Sequence, residues 1–240
     1  VVSGVCALLL QTRPELGWRD VQEILARTSR KVQPADAGWF TNGAGLHFHH
    51  DYGAGLVDAA AACALAASWT PLGPWKQAEA TSAEAGAIPD AEPAGLERTF
   101  SLAATSLRCE RVTLRLTALH PARGQLRVTL TSPAGTTSVL APENAMTLAD
   151  YADWTFSSVH FWGEPADGTW TLRLTDATPG LAGTFQEATL TAFGTSPVPD
   201  AVETWRASHF SPAELADDAL EATLWGDAAD ADGDGFPNLA

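Results

Sequence analysis

Basic side chains are scarce in this 240-residue chain: 14 Lys and Arg stand against 29 Asp and Glu, a formal charge of −15. The shortage deepens along the chain, from six acidic and five basic residues over 1–70, through thirteen and eight over 71–196, to ten and one over 197–240. Nucleic acids and anionic membranes are bound by basic faces, so neither is expected as a partner, whereas cations are. Cysteine is also sparse. Cys6, Cys63 and Cys109 are odd in number and lack metal-type spacing, so they read as small buried hydrophobes and no disulfide framework is expected. No apolar run reaches membrane-spanning length, since the first ends at Leu10. The chain opens on Val1 without Met or a signal peptide, so Val1 is not expected to be a natural start.

With 45% hydrophobic and 18% charged residues, the chain can bury a substantial core in one large or two small domains. Leu126, Val128 and Leu130 alternate with polar residues, as do Trp170, Leu172 and Leu174, and Val112, Leu114 and Leu116. A period of two predicts half-buried strands. Ser132-Pro133-Ala134-Gly135 and Glu164-Pro165-Ala166-Asp167-Gly168 are turn clusters. Thr189 to Phe193 reads as the last strand.

Earlier in the chain the period changes. Val1 to Leu10 is apolar almost all round, as in a helix buried within a larger domain, and Pro14 ends it. Gly17 as N-cap, with Asp20 three residues on, starts a second helix carrying Val21, Ile24 and Leu25 at helical spacing. Asn42-Gly43, Gly45 and Gly53 mark turns, and Leu56 to Trp69 is an Ala-rich third helix. Pro71 to Pro93 shows no sustained period and reads as a linker into the strand-bearing part of the chain.

The runs RGQL, LTSPAGT, WTFSSV, WGE and GTWTLRLTD, in that order, resemble the P domain (Homo B domain) that follows the catalytic domain in kexin- and furin-like subtilisin proteases. Gln125 stands where the family usually has Asp, and Pro142 to Asp150 departs from the family's Arg-containing segment. VVSGVCALLL, PELGWRDVQEILARTS and HHDYGAGLVDAAAACALAASW resemble the closing part of the catalytic domain in the same family.

The resemblance implies an α+β chain: C-terminal helices of a subtilisin-like α/β domain, then an antiparallel, jelly-roll-like β-sandwich and an acidic tail. The implied divisions are 1–70 for the catalytic part, 71–87 for the linker, 88–196 for the P domain and 197–240 for the tail. It further implies a secreted or cell-envelope serine endopeptidase acting on proteins or peptides, with the P domain stabilising the catalytic domain by packing on it. The nucleophile is expected about five residues before Val1 and the rest of the triad further upstream, so no catalytic residue falls within the chain, which is expected to be inactive by itself.

Other chemistries are weaker. Ser3 lacks the context of a nucleophile. His47, His49, His50 and Asp51 could ligate zinc, yet further ligands are missing and a solvated loop is the simpler reading. Trp154, Trp162 and Trp170 invite the alternative of a non-enzymatic adhesion or carbohydrate-binding sandwich with a calcium-dependent tail, although Trp170 is in phase with the core residues Leu172 and Leu174. In the tail, Asp230, Asp232, Asp234 and Asn238 occupy the first, third, fifth and ninth places of a calcium loop, with Gly235 at the glycine place. Calcium collects six to eight oxygens, and alternate residues on a sharp turn supply them; the closing acidic ligand would fall just after Ala240.

Overall fold

The computed structural model describes residues 1–103, 106–196, 205–206, 209–215, 217–226 and 229–230. Residues 1–197 form one compact unit and 198–240 a second. In the first unit, helices α1 (Val2–Thr12), α2 (Trp18–Thr28) and α3 (Ala59–Ala67) precede the sheets. The α2 start follows from its cap: Asp20 accepts the Gly17 N–H at 2.8 Å. The same carboxylate accepts from Trp69 Nε1 at 2.9 Å and from the Leu72 N–H at 2.7 Å, tying α2 to the segment after α3. Asp58 caps α3 through the Ala61 N–H. Val5, Leu9, Leu16, Ile24, Ala62 and Ala66 form the small core among the helices.

A two-stranded hairpin, β1 (Phe40–Thr41) and β2 (His47–Phe48), lies between α2 and α3. Nine further strands follow: β3 (Trp75–Ser82), β4 (Gly86–Ile88), β5 (Leu96–Leu102), β6 (Arg108–Leu119), β7 (Leu126–Thr131), β8 (Thr137–Ala141), β9 (Tyr151–Ser158), β10 (Gly168–Asp176) and β11 (Gly183–Thr195). They make an antiparallel sandwich. One sheet runs β5-β10-β7-β8, the other β3-β11-β6-β9 with β4 also on β11.

Alternation sets the packing. Leu126, Val128 and Leu130 point inward, as do Trp170, Leu172 and Leu174 opposite, all fully buried. Trp170 is the centre of this core: its ring meets Phe161 edge-on at 4.9 Å, and its Nε1 donates to the Ala166 carbonyl at 2.8 Å. The Ser132 to Gly135 turn closes through the Gly135 N–H on the Ser132 carbonyl, with Gly135 at φ +86°, where a side chain would be strained.

Two expectations are corrected. The stretch expected as a linker contains β3, whose residues pair with β11 from Trp75 opposite Thr195 to Ser82 opposite Ala188. The sandwich therefore begins at Trp75 and not at Ile88. Only alanines, Ala78 and Ala80, turn inward from β3 onto the core, and their small side chains give a weak alternation signal. In the hairpin region, His49 is buried rather than solvated, with Nε2 3.3 Å from Asp36 and Nδ1 accepting the Asp51 N–H. Asp51 itself stays exposed.

The second unit has a short helix α4 (Pro212–Leu215) with a reciprocal cap between Ser211 and Glu214, then a 3-10 turn Asp218–Leu220 and a π turn Glu221–Trp225.

Candidate functional site

The sandwich meets the helices and hairpin along a polar seam. On one side Arg19 of α2 forms a two-pronged ion pair with Glu110 of β6, through Nε at 2.7 Å and through Nη2, and its Nη1 donates to the Gly73 carbonyl at 2.7 Å. Both side chains are nearly buried, at 12% and 5% exposure. Glu23, also on α2, accepts from its own-helix neighbour Arg27 and from Arg108 of β6 at 2.9 Å. A fork-shaped guanidinium on a shielded carboxylate fixes direction as well as distance. The turn of α2 that carries Arg19 and Glu23 is thereby registered against one end of β6. Trp18 and Trp75 add a ring contact at 5.2 Å.

On the other side the turn Asn42-Gly43 enters the sandwich. Asn42 Nδ2 donates to the carbonyls of His160 and Trp162, each at 2.9 Å, while its Oδ1 accepts from Ala44 and Leu46 and closes its own turn. The Gly43 N–H donates to Glu164 Oε1 at 2.8 Å and to Thr136 Oγ1 at 3.0 Å, and Thr136 in turn donates to Glu164. Glu164 is fully buried. A Cβ on residue 43 would sit 2.4 Å from the Ala134 methyl, so glycine is required by close approach. The Trp162-Gly163-Glu164 run is thus a receptor for one turn. Its backbone is pinned to β6 as well, with Gly163 N–H on the Cys109 carbonyl and the Cys109 N–H on the Glu164 carbonyl. Cys109 is inert there, since burial pushes its thiol up to about 12, with Glu164, Asp167 and Glu110 adding to the shift.

Two His contacts resemble pieces of catalytic machinery. Ser138 Oγ lies 3.2 Å from His160 Nδ1 and 2.8 Å from Ser158 Oγ, but Ser138 is 2% exposed and out of reach of a substrate. His120 and Asp176 are both wholly buried, 3.0 Å apart; His120 Nδ1 accepts the Ala122 N–H, so no hydroxyl is activated. Ser3 is exposed on α1, and among the described residues no hydrogen bond joins it to an imidazole. Trp162 and Trp170 are buried and Trp154 is 44% exposed under the Arg123 guanidinium, which leaves no continuous aromatic platform among the three. Among the described residues no three His, Cys, Asp or Glu side chains gather as metal ligands, the His47, His49, His50 and Asp51 group included. Of the calcium-loop residues, Asp230 is described and exposed, while Asp232, Asp234 and Asn238 lie outside the described residues.

Asn42-Gly43 reads in the sequence only as a turn. Its partners are about 120 positions away, and no local pattern announces them. Among the described residues no helix is long and apolar enough to cross a membrane.

The proprotein convertase P-domain family matches residues 109–192. Human proprotein convertase subtilisin/kexin type 6 is 34% identical over 219 residues, covering 83% of this chain and 22% of that protein. Bovine furin is 31% identical, covering 82% of this chain and 26% of furin. The chain spans about a quarter or less of these relatives. Among solved structures, the Aeromonas sobria serine protease in complex with its chaperone superposes with a TM-score of 0.75 at 27% identity, over 80% of this chain and 42% of that one. The order of the sandwich motifs and these similarities place the chain in the kexin- and furin-like family of subtilisin-type proteases, with a P domain as its sandwich.

Proposed function

We propose that the sandwich, from Trp75 to Ser196, stabilises the catalytic domain of a secreted serine endopeptidase, and that residues 1–70 are the closing part of that domain. The observation that carries this reading is the capture of Asn42-Gly43 by Trp162, Glu164 and Thr136. The turn belongs to the segment between α2 and α3, so gripping it fixes the helices against a body that has its own core. α1 fits the same reading: Val2, Leu8 and Leu10 are 42–50% exposed on a helix with no polar face, which suits a helix whose remaining faces lie against the rest of a catalytic domain. Ser, His and Asp of an acyl-enzyme mechanism, and the groups that select peptide substrates, would come from portions of the parent outside these residues. The 240 residues alone would hydrolyse nothing.

Gly43→Ala in the parent protease tests the seam directly, because the new methyl must displace Ala134. Thermal inactivation should quicken several-fold, while kcat of the enzyme still folded stays unchanged. An inactivation rate equal to the parent's would remove the stabilising role.

Calcium binding by Asp230, Asp232, Asp234 and Asn238 remains part of the proposal on the order of its donors. Calorimetric titration of the parent should show a calcium site that Asp232→Ala abolishes, and a titration unchanged by that substitution would discard it.

A further inference from the structure

Beside the Asn42-Gly43 turn, the hairpin and the sandwich line an open cavity of about 340 Å³ that the seam does not use. Its apolar walls are Phe40 from β1, Val139 from β8 and Pro142; its polar groups are the hydroxyl of Thr137 and the ionisable side chains of His50, His160 and Arg127. The three ionisable groups carry or can acquire positive charge, in a chain whose net charge is −15. The volume lies at the small end of ligand sites, which are mostly apolar with a few convergent polar groups.

His160 is held rigidly. Its ring packs edge-on against Phe40 at 5.0 Å and tilted on Phe48 at 5.7 Å. Its carbonyl accepts from Asn42, its N–H donates to Ser158, and its Nδ1 contacts Ser138. Nε2 is therefore the ring atom left for a ligand. Arg127 pairs with Glu143 at 3.0 Å, both 40% exposed, an open pair that a second carboxylate can join or replace.

We propose that this cavity is a binding site for a small carboxylate with an apolar body, the apolar part against Phe40, Val139 and Pro142 and the carboxylate on His160, His50 and Arg127. The free C-terminal carboxyl of an apolar peptide and a small aromatic acid share this chemistry. The charged groups around His160 are His50 from the hairpin and Arg127 from β7 with its partner Glu143; β8 and β9 offer the hydroxyls of Thr137, Ser138 and Ser158. Burial, and secondarily the charge of His50, holds His160 below its ordinary value of 6.5. It is neutral at pH 7, and a bound carboxylate draws a proton onto it, so affinity rises as pH falls. The pocket is complete within residues 38–160 and needs no active site.

The test is an NMR titration of the whole chain with benzoate, with the matched neutral probe benzyl alcohol, and with acetyl-Leu-Phe as free acid and as amide. Benzoate should shift the His160 and Val139 signals saturably and bind at least tenfold more tightly at pH 5.5 than at pH 8, while benzyl alcohol shows no such dependence. Val139→Trp, which fills the cavity, should abolish binding without lowering the melting temperature by more than a few degrees. His160→Gln should keep weak binding and lose most of the pH dependence. A dipeptide acid binding tenfold above benzoate, with its amide inert, identifies a peptide terminus as the ligand; equal binding identifies the small acid. Absence of shifts with both acids, or binding that survives Val139→Trp, overturns the proposal.

Discussion

Among the described residues the helices bury six apolar side chains in a core of their own, two of them alanines, whereas the sandwich buries twenty-three, with Trp170, Phe100, Phe161 and Phe185 fully enclosed. The helices also leave Val2, Leu8, Leu10 and Trp18 substantially exposed. Apolar burial is the main favourable term in folding, so the two regions are unequal partners. What the helices lack in burial they draw from the seam, through Arg19, Glu23, Asn42 and Gly43. The sandwich's own core does not include those residues. Dependence should therefore run one way.

The harshest way to break that comparison is Trp170→Ala, which should cost up to about 5 kcal/mol as a large buried ring is lost. Denaturant unfolding followed by circular dichroism should then show the helical signal lost together with the sheet; helices that outlive the sheet would reverse the assigned dependence. Arg19→Ala is next. It leaves Glu110 shielded without its partner, a change worth about 3 kcal/mol. Limited proteolysis should open residues 1–70 while the sandwich persists, and equal protection of both regions would contradict the asymmetry.

Acid sharpens the comparison more gently. His160 has its folded pKa lowered by burial, with His50 adding to the effect. The unfolded chain therefore binds its proton first. The stabilisation is complete above about 6.5 and is lost as pH falls through the lower folded value. Stability at pH 5.5 should be less than at pH 7.5, and His160→Gln should flatten that part of the slope in a series of melts. The smallest effect is expected at Arg115, whose pair with Asp153 is 55% and 71% exposed. Arg115→Ala should change stability by about 0.5 kcal/mol or less, and a drop comparable with that of Arg19→Ala would mean that surface pairs rather than the seam hold the layers.

The sequence pattern resolved features whose cause is local. Strands β7 and β10 announce themselves by large apolar residues every second position, the α2 cap by Gly17 and Asp20, and the Ser132 to Gly135 turn by its residue types. β3 was hidden because Ala78 and Ala80 carry its inward face, and a strand that buries only methyl groups resembles a polar linker. His49 was hidden for a different reason. Its burial depends on the folding back of Asp36 and Trp39, whose ring lies 5.1 Å away. The seam was the least legible part: WGE was recognisable as a motif, yet nothing adjacent to Glu164 names Gly43 as its partner.

The separation of that pair also sets a clock. Gly43 leaves the ribosome 121 residues before Glu164, which at 5–20 residues per second is an interval of roughly 6–24 s. β3 likewise waits for β11, since Thr81 bonds Thr189 across 108 positions. A nascent chain therefore presents Arg19, Glu23 and the Asn42-Gly43 turn before the groups that hold them are synthesised. Ribosomes stalled before residue 164 should display a protease-sensitive amino-terminal segment, and release should protect it, so the order of manufacture is the reverse of the order of support.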